Sequence, residues 1–114
     1  MTSESKYPAV SQALLAEVVS RIRATGDPLK VVLFGSQARG DTHAESDLDL
    51  LVVEESDLPR FKRSPRYYKA LMGVFPNKDI TVWTPTEIQE WSAVPNAFIT
   101  TALREGKVLY EKPA

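Results

Sequence analysis

The sequence predicts an α/β or α+β domain in which one sheet carries helices on at least one face. Segments with helical spacing of apolar residues alternate along the chain with short apolar segments typical of strands. A length of 114 residues suits a single domain spanning 1–114, and 43% hydrophobic with 25% charged residues is typical of a folded protein. No cysteine is present, which excludes disulfides and thiolate metal sites.

The first half of the chain predicts one helix and two strands. Apolar residues recur at every fourth position of residues 10–22, which indicates an amphipathic helix that ends near Gly26. Lys30–Phe34 is a continuous apolar run that leads into a tight turn, as expected of a buried strand. Residues 40–46 are polar and predict a loop, and Leu48–Val53, β-branched at its end, predicts the second strand.

The middle of the chain predicts a helix and a third strand. Ser64 followed by Pro65 is typical of a helix N-terminus. Four apolar residues follow at helical spacing: Tyr68, Leu71, Met72 and Phe75. Residues 79–83 alternate between polar and apolar, which predicts a strand.

The C-terminal part predicts two more helices and a last strand. Thr84 and Glu87 have the spacing of a capping box, so a helix is expected from there to about Trp91. Another helix is expected over residues 96–105, where a glycine follows, and residues 107–110 predict a short strand.

Charge and hydropathy exclude several classes of protein. The apolar runs at 31–34 and 50–53 are four residues long, whereas a membrane helix needs about 20. The N-terminal residues 1–6 lack the basic start and apolar stretch of a secretory signal, so a cytoplasmic protein without a membrane partner is expected. The net charge of −1 argues against a protein built to bind nucleic acid, and no direct nucleic-acid partner is expected.

Two carboxylates lie at the start of the second predicted strand. Asp47 and Asp49 are two positions apart, so their side chains are expected on the same face. Like charges this close repel unless a cation is present, and their hard oxygen ligands suit Mg²⁺ completed by water and phosphate. The alternative is a turn cap followed by a solvated edge strand.

A glycine–serine turn follows the first predicted strand. Gly35 lets a phosphate approach the backbone, and the amides of the following turn attract an anion. The Ser36 hydroxyl can donate a hydrogen bond, and Arg39 adds positive charge. The alternative is a strand-to-helix turn in which Ser36 is only an N-cap.

A third carboxylate, Asp79, begins a strand that can lie beside the second strand. In two-metal phosphoryl transfer, one ion activates the attacking hydroxyl and the other stabilises the leaving oxygen. Asp47 and Asp49 can bridge both ions, and Asp79 can hold the ion nearer the acceptor and take its proton. The alternative is that Asp79 is a turn residue.

The two motifs together resemble a known signature. Gly35-Ser36, then ten residues, then Asp47-Leu48-Asp49 resembles the Gly-Ser-x10-Asp-x-Asp signature of the minimal nucleotidyltransferases, members of the DNA polymerase β superfamily. The resemblance runs from about residue 31 to residue 84 and more loosely to the end. It implies a nucleotidyltransferase fold, a small mixed sheet flanked by helices. It also implies Mg²⁺-dependent transfer of a nucleoside monophosphate from a nucleoside triphosphate, with release of pyrophosphate.

The resemblance assigns roles to the same residues. It implies a catalytic and metal-binding role, with two Mg²⁺ ions, for Asp47, Asp49 and Asp79. It implies that ATP, the co-substrate, is held by Gly35, Ser36 and Arg39.

The acceptor is expected to come from outside the chain, because 114 residues leave no second domain to hold it. A partner protein or a second copy of the chain, in a hetero- or homo-oligomer, is expected to complete the site. Small proteins that resemble this family are frequently antitoxins that inactivate a HEPN-type RNase toxin by adding AMP to a tyrosine, and this is the expected function. The alternatives are an antitoxin that acts by binding alone and a stand-alone enzyme that modifies a small molecule such as an aminoglycoside.

Other polar and aromatic residues have plainer interpretations. His43 is expected to be a solvated loop residue, although a catalytic role is the alternative. Residues 60–69 form a basic cluster with two tyrosines, which we interpret as a solvated helix face; the alternative is a surface that contacts the triphosphate, an acidic partner or a nucleic acid. Trp83 and Trp91 are expected in the core or an interface.

Overall fold

Four helices and four strands form the part of the chain that the structure, a computed structural model, describes: residues 11–35, 47–74 and 77–113. In chain order they are α1 (Gln12–Thr25), β1 (Lys30–Phe34), β2 (Leu48–Val53), α2 (Pro65–Ala70), β3 (Lys78–Trp83), α3 (Pro85–Trp91), α4 (Phe98–Glu105) and β4 (Lys107–Glu111). A 3-10 turn, Arg60–Lys62, precedes α2. Every strand predicted from the sequence is present. In none of the described segments is a helix long and apolar enough to cross a bilayer.

The strands form one mixed sheet in the order β3-β2-β1-β4. β1 pairs antiparallel with both β2 and β4, whereas β2 and β3 are parallel. Because of these directions, the end of β1 and the starts of β2 and β3 meet at the same end of the sheet. This end therefore brings together the glycine turn and the three predicted acids.

Both faces of the sheet are covered, which explains why β2 is almost continuously apolar. On one face, α1 and α2 pack on the strands and bury residues such as Leu50, Ile22 and Tyr67. On the other face, α4 and α3 pack on alternate strand residues, with Leu51 and Ile99 fully or nearly fully buried. The predicted α/β arrangement, a small mixed sheet flanked by helices, is confirmed.

Two helices begin at a side-chain cap, of which the one at Thr84 was predicted, and one predicted cap does not form. The Ser11 hydroxyl accepts from the amide of Leu14 at the start of α1, and Thr84 and Glu87 form the predicted capping box of α3. Ser64 is the predicted cap that does not form. Its backbone is already helical, with φ −85° and ψ −23°, and its side chain makes no cap hydrogen bond, because the chain arrives there directly from the 3-10 turn.

The helix α2 is also shorter than its apolar spacing suggests. It ends at Ala70, and Leu71 is buried from the turn that follows rather than from the helix. Gly73, with φ +83°, then takes a left-handed conformation that ends any helical continuation. Met72 is 70% exposed, and Phe75 lies outside the described residues.

Candidate active site

The predicted acids converge at one end of the sheet. Asp49 is the second residue of β2 and is the register partner of Asp79 in the parallel β3, so both side chains point to the same face. Asp49 is half-buried, whereas Asp79 and Asp47, which immediately precedes β2, are exposed. Strand alternation places Asp49 on the face that α3 and α4 cover. Carboxylates from two neighbouring strands therefore face the same solvent-accessible space.

Gly35 brings the glycine turn against this acid group. Phe34, the residue before it, is the register partner of Asp49 across the β1–β2 pair. Gly35 has φ +77°, and a Cβ at this position would overlap the Asp49 carboxylate. Only glycine therefore suits both the backbone conformation and the close approach of the carboxylate. The two halves of the sequence motif meet here.

Three residues singled out from the sequence lie outside the described residues. They are Ser36, Arg39 and His43, together with the predicted loop 40–46. The roles of Ser36 and Arg39 toward a triphosphate consequently stay predictions.

The acids suit a metal that shares its coordination with a substrate. Within residues 11–35, 47–74 and 77–113, no three His, Asp or Glu side chains are grouped so that they could hold one ion by themselves. Carboxylate oxygens are the hard ligands that Mg²⁺ prefers, and Mg²⁺ is usually held by one or two carboxylates with water and substrate phosphates rather than by a protein cage. Asp47, Asp49 and Asp79 fit that mode of binding.

A tyrosine that sequence reasoning did not assign to the site contacts the third acid. The Tyr68 hydroxyl lies 3.3 Å from Oδ1 of Asp79 and accepts a hydrogen bond of 2.9 Å from the amide of Ile80. Sequence analysis placed Tyr68 among apolar helix residues. The sequence signal that could have identified Tyr68 is the adjacent pair of tyrosines. Neighbouring side chains on a helix point about 100° apart, so Tyr67 and Tyr68 cannot both enter the core.

An apolar cavity of about 250 Å³ adjoins Gly35 on the face that carries Asp49. Phe34 and Phe98 form its aromatic wall, with ring centroids 5.3 Å apart in an edge-to-face contact. Thr101 and Glu105 of α4 provide its polar groups. An exposed aromatic ring beside a few polar groups is the usual lining of a small-molecule site.

Arginines of the basic segment 60–69 bind carboxylates within the fold, which the sequence did not predict. Arg63 is buried and binds both carboxylate oxygens of Glu87, at 2.7 and 3.0 Å. These hydrogen bonds are the main reason that the pKa of Glu87 is lowered to about 2. Arg66 donates to the buried Glu54 at 2.6 Å. The interpretation of the segment as one solvated face is wrong for Arg63, because its guanidinium is needed to satisfy groups inside the fold.

Arg60 and the tryptophans belong to the same structural region. The Arg60 guanidinium lies 3.9 Å from the centre of the Trp83 ring. Trp83 is buried, as expected, and contacts Trp91 edge-to-face with centroids 6.4 Å apart. Lys62 and Lys69 are exposed, as are Arg60 and Arg66, so Arg63 is the buried cation of the segment.

Tyr67 is held in the core of the same segment. Its hydroxyl donates to the buried Glu54, and burial together with this contact raises the pKa of Tyr67. A phenol in this position stays protonated and serves to satisfy Glu54. Of the two adjacent tyrosines, Tyr68 is therefore the one that reaches the site.

Comparison with known proteins identifies the family of the chain. Residues 17–114 match the family model described as "Polymerase beta, Nucleotidyltransferase". A stretch of 57 residues, 50% of this chain, is 39% identical to a Methanocaldococcus jannaschii protein provisionally named a protein adenylyltransferase. The chain spans about half the length of that relative, 51%.

Solved structures show the same fold. A provisionally named nucleotidyltransferase from Sulfolobus solfataricus superposes with a TM-score of 0.60 at 24% identity, over 86% of this chain and 78% of that one. A chain of a toxin–antitoxin structure with AMP-PNP superposes with a TM-score of 0.65 at 18% identity, over 86% and 73%. The predicted family and fold are confirmed. The chain belongs to the polymerase β nucleotidyltransferase family.

Proposed function

We propose that this protein transfers AMP from ATP to a tyrosine hydroxyl of a cognate HEPN-type toxin and thereby acts as an antitoxin in the cytoplasm. The observation that carries the proposal is the position of Asp49, which is in register with Asp79 and packed against Gly35. The relative named as a protein adenylyltransferase and the toxin–antitoxin structure with AMP-PNP support a nucleotide donor and a protein acceptor.

The acids take two roles in the proposed reaction. Asp47, Asp49 and Asp79 would hold two Mg²⁺ ions, which would supply charge neutralisation for the triphosphate and the leaving pyrophosphate. Asp79 takes the proton of the acceptor hydroxyl. The acceptor oxygen then bonds to the α-phosphorus of ATP, and the bond from that phosphorus to the bridging oxygen of pyrophosphate breaks. Proton transfer to a positioned base contributes typically about 10²–10⁴-fold to such a rate.

The nucleotide is proposed to lie along the Gly35 turn. Ser36 and Arg39 bind the triphosphate beyond it, and the base occupies the cavity beside Phe98. The apolar lining of this cavity and its exposed Phe98 ring support a planar, partly apolar ligand.

Transfer of label tests this function. The purified protein is incubated with ATP labelled at the α-phosphate, Mg²⁺ and the protein encoded by the adjacent gene. We expect the partner to become labelled and to gain the mass of one or more AMP groups on a tyrosine. Asp47→Asn should abolish labelling because the metal site loses a charged ligand. Asp57→Asn, which changes an exposed acid beyond the other end of β2, is the matched control and should leave labelling intact.

Neutralisation of the partner separates catalysis from binding. If Asp47→Asn neutralises the partner as well as the wild type does, without any change in the partner's mass, the protein acts by binding alone. Labelling of a small molecule rather than the partner would assign it to stand-alone enzymes.

A further inference from the structure

We infer that Tyr68 is a positioning residue that orients the Asp79 carboxylate for proton transfer. The inference rests on the proposed function, because it concerns the acid that takes the acceptor proton. The two groups come from different elements, α2 and β3, and meet at the outer edge of the sheet.

The direction of the hydrogen bonds at Tyr68 is determined by its partners. The backbone N–H of Ile80 can only donate, so the Tyr68 oxygen accepts there, at 2.9 Å. An ionised carboxylate can only accept. The single phenolic proton is therefore directed at Oδ1 of Asp79, at 3.3 Å. This hydrogen bond holds Oδ1 of Asp79 and so restricts the rotation of an exposed side chain on an edge strand. The restriction also orients the second carboxylate oxygen of Asp79.

The tyrosine itself is held firmly. The neighbouring Tyr67 is fully buried and hydrogen-bonded to the buried Glu54, and Leu71 is fully buried one turn later. These anchors fix α2 on the sheet and leave Tyr68, 37% exposed, at the edge of β3. An oriented base is catalytically valuable, since small displacements from a reactive geometry cost large factors in rate.

A purely structural role for Tyr68 makes a different prediction. In that case the hydroxyl only satisfies the edge amide of Ile80, and its loss lowers stability without changing the rate of transfer. The two roles can be separated because Tyr68→Phe removes the hydroxyl and keeps the ring.

The test measures single-turnover AMP transfer to the protein encoded by the adjacent gene, with labelled ATP and Mg²⁺. We expect Tyr68→Phe to lower the rate by about tenfold, part of the contribution of a general base, with ATP affinity within about twofold of the wild type. Tyr110→Phe, a tyrosine on the opposite edge strand β4, is the matched control and should leave the rate unchanged.

A double variant shows whether Tyr68 acts through Asp79. Asp79→Asn alone should slow transfer strongly, and adding Tyr68→Phe to it should cause no further loss. Independent, multiplicative losses would overturn the inference, as would an unchanged rate in Tyr68→Phe alone. Label on Tyr68 itself would overturn it too, since the hydroxyl would then be an acceptor. If the wild type transfers no AMP, the proposed function fails and this inference fails with it; if the wild type is active and Tyr68→Phe is unaffected, only the inference fails.

Discussion

At position 35, the structure requires a residue without a side chain. Two separate features require glycine there, the left-handed backbone at φ +77° and the Asp49 carboxylate where a Cβ would lie. Gly73 has a similar backbone, φ +83°, but no described atom lies within 4 Å of its Cβ position. A comparison of substitutions at Gly35 and Gly73 therefore separates the effect of backbone strain from the effect of overlap with the Asp49 carboxylate.

Alanine at these two glycines should give different results. Both substitutions should cost about 1–2 kcal/mol of unfolding free energy, the usual penalty of a left-handed non-glycine residue. Only Gly35→Ala should also weaken Mg²⁺-dependent ATP binding, because it displaces the Asp49 carboxylate. Urea unfolding and calorimetric titration with ATP measure the two effects. Equal ATP affinity in both variants would contradict the close packing of Gly35 on Asp49.

The sequence predicted the acids of the site, but it did not predict that Tyr68 contacts one of them. Asp47 and Asp49 were predicted because their spacing places both on one face of a strand and because Gly35-Ser36 precedes them at the family's spacing. Asp79 was predicted because it begins a strand that can lie beside them. Tyr68 was not found, because its contact depends on where α2 ends relative to the edge of β3. Such a distance between elements is not encoded in local spacing.

At the scale of elements, Glu87 joins α3 to the segment before α2. Its Oε1 accepts from the amide of Thr84 at 3.0 Å, which completes the capping box, and both of its oxygens bind Arg63. The sequence predicted the capping box, since it is a local pattern. The partnership with Arg63, 24 residues away, could not be predicted, because it requires the packed positions of two elements.

The lowered pKa of Glu87 predicts a stability that depends on pH. Its pKa falls from 4.5 to about 2 on folding, chiefly through the Arg63 hydrogen bond. A carboxyl group with a depressed folded pKa stabilises the protein above its unfolded pKa and loses this effect as the pH falls through the folded pKa. The difference in unfolding free energy between the wild type and Glu87→Gln should therefore be largest near neutral pH and shrink between about pH 4.5 and 2.

Urea unfolding at a series of pH values measures this difference. Glu90→Gln changes an exposed acid of the same helix and is the matched control, so it should show no comparable trend. A gap between the wild type and Glu87→Gln that does not change with pH would mean that the Arg63 contact does not depend on the charge of Glu87.

At the scale of the whole molecule, the order and type of elements were predictable from apolar spacing together with the local signals of helix caps, prolines and glycines. The two-sided burial of β2 follows from its continuous apolar run, and the mixed sheet follows from the family resemblance. The parallel pairing of β2 with β3 brings Asp49 into register with Asp79, although 30 residues separate the two in the sequence. Local sequence patterns predict strands, whereas the choice of neighbouring strand depends on packing across the whole sheet.

We propose that Asp47 and Asp49, the latter packed against Gly35, form one Mg²⁺-dependent ATP site. Calorimetric titration with ATP, with and without EDTA, tests it most directly in the wild type and in the double variant Asp47→Asn, Asp49→Asn. We expect saturable binding by the wild type that is lost with EDTA and in the double variant, because the triphosphate then lacks its metal ions. Saturable ATP binding that persists under both conditions would contradict it.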